Sequence, residues 1–250
     1  MNIIKEIAKN YLIKIPLVAK LSAKRGLTGV NSNPDEVKMI FEKYNEIVDL
    51  RGKEIIELGT GHTFDILSKA KDAGAKKVCA VDIQKYVEEI SPDITFKLYD
   101  GSIIPFADEK FDITWSWTVY EHIRFPITTV KETNRILKNG GISINYIDLV
   151  DHFAYTDYHV VDNSIVFNCL KYSKWLWNLM TWNRGMYVNR LRYSQWLEIF
   201  KENGFEIIHV ERTNNKYVEN NYKNISYLKN LKPEDASTMQ VLIVCKKTQL

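Results

Sequence analysis

Residues 54–63 read E-I-I-E-L-G-T-G-H-T, an apolar and β-branched run that ends in an acid and breaks at once into two closely spaced glycines. Such a run predicts a buried strand. The glycines after it predict a turn tight enough for backbone N–H groups to approach a ligand of nucleotide size. Glu57 stands at the carboxyl end of that strand, where it can accept hydrogen bonds from the same ligand. A site of this kind needs partners elsewhere in the chain, and they follow in order.

Residues 64–73 carry a helical pattern that stops at Gly74, and residues 77–81 (K-V-C-A-V) a buried strand closed by Asp82. Residues 95–98 predict a third strand ahead of Tyr99, Asp100 and Gly101, and residues 111–115 a fourth. A helix over 126–137 is stopped by Asn139-Gly140-Gly141, and 141–147 is a fifth strand. After a helix over 193–203, residues 205–210 and 239–245 are two more. Strands separated by helices imply right-handed crossovers, hence an α/β fold with a doubly wound, mostly parallel, seven-stranded Rossmann-like sheet.

Two regions fall outside that rhythm. Residues 1–50 form an N-terminal helical segment, in which Ile3, Ile4, Ile7, Ala8, Tyr11, Leu12 and Ile15 recur at helical spacing before Pro16. Its apolar stripe is expected to pack on the body, while Lys5, Lys9, Lys14, Lys20, Lys24 and Arg25 suit a lid or a weak membrane-surface contact. Residues 51–250 form the main domain, interrupted over 149–192 by an aromatic-rich insertion with Tyr155, Tyr158, Tyr172, Trp175, Trp177, Trp182 and Tyr187. An unstructured excursion of that length is improbable in a compact domain, so a small helical cap over the sheet's carboxyl edge is expected. Residues 213–233, polar and asparagine-rich, read as a surface excursion.

Composition weighs against some functions. The 34 Lys+Arg and 31 Asp+Glu leave a formal charge of +3, without the basic excess of a dedicated nucleic-acid binder. Cys79, Cys169 and Cys245 are far apart and follow no metal-ligand spacing, which suits a reducing cytoplasm. No segment reaches about 18 consecutive apolar residues, so neither secretion nor membrane spanning is expected.

Glu57, Asp82 and Asp100 fall at the carboxyl ends of three successive predicted strands, the edge where open α/β sheets bind ligands. Asp82 lies about twenty residues after the glycines, the separation that puts a carboxylate on ribose hydroxyls. The dinucleotide fingerprint G-x-G-x-x-G requires a third glycine where this chain has Phe64, which disfavours a pyrophosphate cofactor.

With E-L-G-T-G at 57–61, A-V-D at 80–82, D-G-S-I-I-P-F at 100–106, F-D-I at 111–113, E-H at 121–122 and R-I-L-K-N-G-G at 135–141, the chain resembles the class I S-adenosylmethionine-dependent methyltransferases. The resemblance implies S-adenosyl-L-methionine as cofactor and S-adenosyl-L-homocysteine as product. It implies that Gly59, Thr60 and Gly61 line the methionine part, with Glu57 organising the loop. Asp82 would hold the ribose, Ile83 would pack on the adenine, Asp100 would take its amino group, and Gly101 and Ser116 would complete the site. N-R-L-R-Y-S at 189–194 and D-L-V-D-H-F-A at 148–154 look like methyltransferases of bacterial capsule or lipopolysaccharide biosynthesis. That likeness implies O-methylation of a sugar, nucleotide sugar or phosphate-type small molecule; the alternatives are a nitrogen, lipid or quinone acceptor, or a non-catalytic cofactor-binding module.

A hydroxyl acceptor calls for a base near the fourth and fifth strand ends. His122, His152 and Asp148 are the candidates, with Asp151, Asp157 and His159 nearby. Trp117 and Tyr155 are candidate stacking surfaces, and Arg184, Arg190 and Arg192 candidate phosphate grips. Asp148, Asp151 and His152 have donor types that suit a divalent cation. Glu121-His122 also resembles part of the metal-binding E-x-x-E-H of some ubiquinone-pathway O-methyltransferases. Thr118 stands where that motif has its first Glu, and no metal is assigned.

Overall fold

The computed structural model describes residues 2–18, 33–86, 90–157 and 160–248. Among the described residues nine strands form: β1 (Glu54–Leu58), β2 (Lys77–Asp82), β3 (Ile94–Leu98), β4 (Phe111–Trp117), β5 (Leu137–Asp148), β6 (Tyr155–Asp157), β7 (Val160–Val161), β8 (Phe205–Asn214) and β9 (Thr238–Lys247). Seven of them make one sheet in the order β3-β2-β1-β4-β5-β9-β8, parallel except for β9, which runs antiparallel to both neighbours. From β1 the chain builds first to one side, through β2 and β3, and then to the other, through β4 and β5. The reversal opens a crevice between the carboxyl ends of β1 and β4, where such sheets take ligands.

Alternating side chains place an apolar layer on each face. Ile56, Cys79 and Phe111 pack under helices α4 (Pro126–Ile136) and α6 (Tyr193–Glu202), which bury Val130, Trp196 and Phe200. Ile55, Val78 and Trp115 pack under α2 (Pro34–Ile47) and α3 (Asp65–Asp72), which bury Ile40, Tyr44 and Leu67. Pro34 sits in the first turn of α2, where its missing N–H costs no hydrogen bond, and Asn33 caps the Asp35 amide. All three cysteines are free and buried.

Between β4 and β5 the interior is polar over four positions. The hydroxyl of Thr114 donates to that of Ser143 (2.8 Å), which also accepts from the Asn145 amide (3.0 Å), and Ser116 donates to Asn145 (3.2 Å). All four side chains are fully buried, and Thr114–Ser143 and Ser116–Asn145 are directly paired residues. Each polar atom in the row is satisfied by another strand residue, so it is tolerated in the core.

The insertion over 149–192 is less helical than its aromatic spacing predicts. It holds the β6–β7 ladder, short 3-10 turns and one helix, α5 (Lys174–Thr181). Residues 213–233 carry helix α7 (Lys216–Asn221), followed by α8 (Pro233–Ser237), and are more than a surface excursion. Val218 and Leu228 are buried among Val150, Ala154, Val166 and Phe167 of the insertion, so the two segments share one small core. The apolar residues of this segment are scattered among asparagines and lysines, a composition that reads as surface.

Helix α1 (Ile3–Leu12) lies against α5, but the other way round from the expectation. Its buried residues are Glu6 and Asn10, while Ile4, Tyr11 and Leu12 face outward. The cause is the partner surface, which offers polar groups beside a small apolar cluster: Arg184 pairs with Glu6 at 2.5 Å, Asn10 exchanges hydrogen bonds with Leu179 and Asn183, and of the apolar stripe Ile7 packs on Cys169, Trp177 and Met180. Lys20, Lys24 and Arg25 lie outside the described residues. No described helix is long and apolar enough to cross a membrane.

Candidate active site

The turn after β1 takes the strained form that its glycines permit. Gly59 has φ +75° and Gly61 φ +60°, in the left-handed region. A Cβ on Gly59 would lie 2.5 Å from Cγ2 of Val119, so the loop after β4 is seated directly on the glycine turn. The Gly59 N–H donates to the Val81 carbonyl (2.8 Å), and the Gly61 N–H to Asp82 Oδ2 (3.1 Å). Asp82 Oδ1 accepts from the Gln84 amide (3.2 Å), which ties the ends of β1 and β2 into one cradle.

Two acids of this cradle are buried together. Glu57 has one oxygen, Oε2, with no hydrogen-bond partner, and burial, aided by the nearby Asp82 charge, pushes its pKa up to about 8. Burial also raises Asp82, opposed by the backbone donors of Gly61 and Gln84. Thr60 is buried in the turn, Ile83 stands 62% exposed beyond β2, and Gly101 has φ +86°. Asp100, exposed at the end of β3, accepts from the amide and hydroxyl of Ser102, which hold its pKa below the usual carboxylate value. Ser116 stands apart from these groups, with its hydroxyl enclosed in the β4–β5 polar row.

Across the crevice, the turn over Tyr120–His122 carries Glu121 and His122. The ring Nδ1 of His122 lies 2.8 Å from the Tyr187 carbonyl. A carbonyl only accepts, so Nδ1 holds the proton and Nε2 keeps its lone pair. Burial, and then His152, drives the His122 pKa down to about 3. The two rings meet edge to face at 4.8 Å. His152 Nε2 lies 3.7 Å from Asp148 Oδ2, the oxygen that accepts the Tyr155 hydroxyl, and Asp148 Oδ1 accepts from the Val150 amide. The four predicted residues His122, His152, Asp148 and Tyr155 therefore meet in one cluster at the ends of β4 and β5.

Glu121 joins them, and sequence reasoning missed it as a site residue although the E-H pair marked it. It is 2% exposed, neither carboxylate oxygen has a hydrogen-bond partner, and burial raises its pKa well above the usual value. Among the described residues, Glu121, His122 and His152 bring ligand atoms within 4.8 Å of one another, a donor set suited to a divalent cation. Asp151 is committed elsewhere, capping the Phe153 amide. The side chain of Asp157 and all of His159 lie outside the described residues.

The arginines go to the scaffold. Arg192 is 3% exposed and donates to three backbone carbonyls, Asp235, Leu149 and Thr238, at 2.7–2.8 Å. Arg190 donates to the carbonyls of Cys169 and Tyr172, and Arg184 holds Glu6. These contacts leave Arg192 no face for a phosphate. Trp117 stacks on Tyr146 (4.0 Å) beside a hollow of about 270 Å³ that Met39, Lys43 and Gln240 also line. A larger hollow, about 480 Å³, opens near Asn45, Asp49 and Arg51 before β1, at the amino edge away from the cradle.

A family model described as Methyltransferase domain matches residues 33–210. The chain is 23% identical over 174 residues to the ubiquinone biosynthesis O-methyltransferase of Coxiella burnetii, covering 66% of this chain and 68% of that one. It is similar in structure to an S-adenosylmethionine-dependent methyltransferase from Mesorhizobium loti, with TM-score 0.55, 15% identity and coverage of 85% and 96%. It is also similar to phosphoethanolamine N-methyltransferase 2 of Haemonchus contortus in complex with S-adenosyl-L-methionine, with TM-score 0.57, 16% identity and coverage of 86% and 53%.

Proposed function

The chain belongs to the methyltransferase domain family, and we propose that it moves a methyl group from S-adenosylmethionine to a hydroxyl oxygen of a small acceptor. Dependence on S-adenosylmethionine follows from the family, and the residues present fit that cofactor. Gly59 and Gly61 hold the turn at positive φ directly after the strand that carries the unpartnered oxygen of Glu57, and Asp82 stands at the distance along the chain that suits a ribose. Gly59, Thr60 and Gly61 would hold the methionine part, Asp82 the ribose, and Ile83, Asp100 and Gly101 the adenine. When bound, the cofactor supplies an electrophilic methyl group on a sulfonium.

The acceptor side rests on one observation: His122, on the loop seated against the glycine turn, meets His152 of the turn after β5 with ring centroids 4.8 Å apart. His122, held neutral with Nδ1 on the Tyr187 carbonyl, offers Nε2 to orient an incoming hydroxyl. His152, whose Nε2 lies 3.7 Å from the Asp148 carboxylate, takes the hydroxyl proton. Tyr155 fixes that carboxylate by donating to it. A nitrogen acceptor that arrives with its own lone pair needs none of this.

Within hydroxyl acceptors, a sugar or sugar-linked intermediate of surface polysaccharide remains the proposal, with the hollow of about 270 Å³ beside the Trp117–Tyr146 stack as its support. The arginine contacts remove the support for a phosphate grip by Arg192. The test is incubation of the purified chain with labelled S-adenosylmethionine and a panel of sugars, sugar nucleotides, phenols and amines, with products identified by mass. O-methylated product from wild type, lost in His152→Ala while S-adenosylhomocysteine still binds, is expected. Product methylated on nitrogen, or full turnover by His152→Ala, would overturn the assignment.

A further inference from the structure

Helix α1 is amphipathic and seated inside out. At 100° per residue, Glu6 and Asn10 share the face turned to α5, and Ile4, Ala8 and Tyr11 share the opposite face. The inner face is held by polar contacts, Glu6 with Arg184 at 2.5 Å and Asn10 with Leu179 and Asn183 at 2.8–3.1 Å, together with Ile7, which packs partly buried on the cluster of Cys169, Trp177 and Met180. Outward, Ile4 is 81% exposed, Tyr11 51% and Leu12 49%, and Leu17 just beyond is 67% exposed. On the neighbouring helix α5, Trp175 is 72% exposed.

Cations border this apolar face. Lys5, Lys9 and Lys14 are exposed on the same segment, as are Lys171 and Lys174 beside Trp175. The single acid within residues 2–18 is Glu6, which is buried against Arg184 and Lys9. No exposed carboxylate of that segment therefore offsets the lysines.

We propose that this face docks on an acidic lipid surface, with Ile4, Tyr11, Leu12, Leu17 and Trp175 entering the headgroup boundary and the lysines meeting anionic headgroups. The charge pattern selects this occupant. An apolar stripe edged by cations, with an aromatic ring at its border, is the composition that binds in the plane of an acidic interface. A second copy is disfavoured: a two-fold contact brings the same patch onto itself and sets lysines against lysines. Docking here would also put the insertion, through α5, next to the bilayer. The proposal is independent of which acceptor atom is methylated.

The experiment is cosedimentation of the full chain with vesicles of phosphatidylcholine containing phosphatidylglycerol, against vesicles of phosphatidylcholine alone. Wild type should pellet with the acidic vesicles, shift its tryptophan emission to the blue, and be released by added salt. Ile4→Glu/Leu12→Glu and Lys5→Glu/Lys14→Glu should each weaken partition by at least about tenfold, with S-adenosylhomocysteine affinity unchanged as the control for folding. Wild type that stays in the supernatant with acidic vesicles overturns the proposal, as does equal pelleting with both vesicle types or by the variants. A concentration-dependent dimer dissolved by Ile4→Glu, without vesicle binding, would assign the face to a second copy instead.

Discussion

Gly59→Ala tests the contact on which the site is assembled. Two penalties add. The residue holds φ +75°, and an L-side chain in that region costs about 1–2 kcal/mol. Its new Cβ would lie 2.5 and 2.8 Å from the two methyls of Val119, an overpacking worth about 1–3 kcal/mol. The sum, about 2–5 kcal/mol, should appear as a lowered urea midpoint with an unchanged slope. Val119→Ala removes both methyls and leaves only the Val119 Cβ, 3.2 Å away, which a small shift accommodates. The double mutant should therefore recover the steric part, a coupling of about 1–3 kcal/mol in the cycle, while the backbone part persists. Turnover should follow the steric part as well, because Val119 carries the loop with Glu121 and His122. If Gly59→Ala costs the same with and without Val119→Ala, the packing of the two loops is not what holds the site together.

Other outcomes follow from individual groups. The Glu57 pKa of about 8 lies above its unfolded value of about 4.3, so between those pH values the folded chain keeps a proton that the unfolded chain releases. Stability of the ligand-free protein should then fall as pH rises from about 5 to 8, by on the order of 4 kcal/mol from this group. Glu57→Gln should flatten that slope in urea titrations at several pH values, and an identical slope would exclude Glu57 as its source. His152→Ala should lower kcat by about 10²–10⁴-fold with cofactor affinity retained, measured by single-turnover assay and calorimetry. Arg192→Met should cost about 3 kcal/mol or more, by leaving three buried carbonyls unpaired. Loss of acceptor affinity in Arg192→Met without loss of stability would return that side chain to the substrate.

The sheet was legible because its central strands β1 and β2 are buried on both faces and read as short apolar runs punctuated by Gly and Asp. Glu57, Asp82 and Asp100 fall at strand ends for the same reason, so the edge carrying the cradle could be predicted from the chain alone. Orientation was not legible. The periodicity of residues 3–15 gives a stripe but not which side of it meets the protein, and here Arg184, 178 residues from Glu6, decides the matter. Charge misled in the same way at Arg192, since a guanidinium that binds carbonyls and one that binds phosphate look alike in sequence. His122 and His152 were each visible as candidates. Their pairing depends on the Tyr187 carbonyl, a backbone atom with no residue-type signature.

The row of Thr114, Ser116, Ser143 and Asn145 has a consequence for where Asp148 and His152 can stand. Strand β5 begins irregularly, with pairing interrupted between Phe111 and Ile113 and Gly140 at φ +75°, so the start of the strand alone fixes its alignment weakly. A slip by one residue would turn every side chain of β5 to the opposite face and move Asp148 by about 3.3 Å. The buried hydroxyls forbid that slip, because displaced from one another they would be left without partners in a dry interior. Four small polar side chains in the core thus act as the ruler that sets Asp148, and through it His152, at the mouth of the crevice.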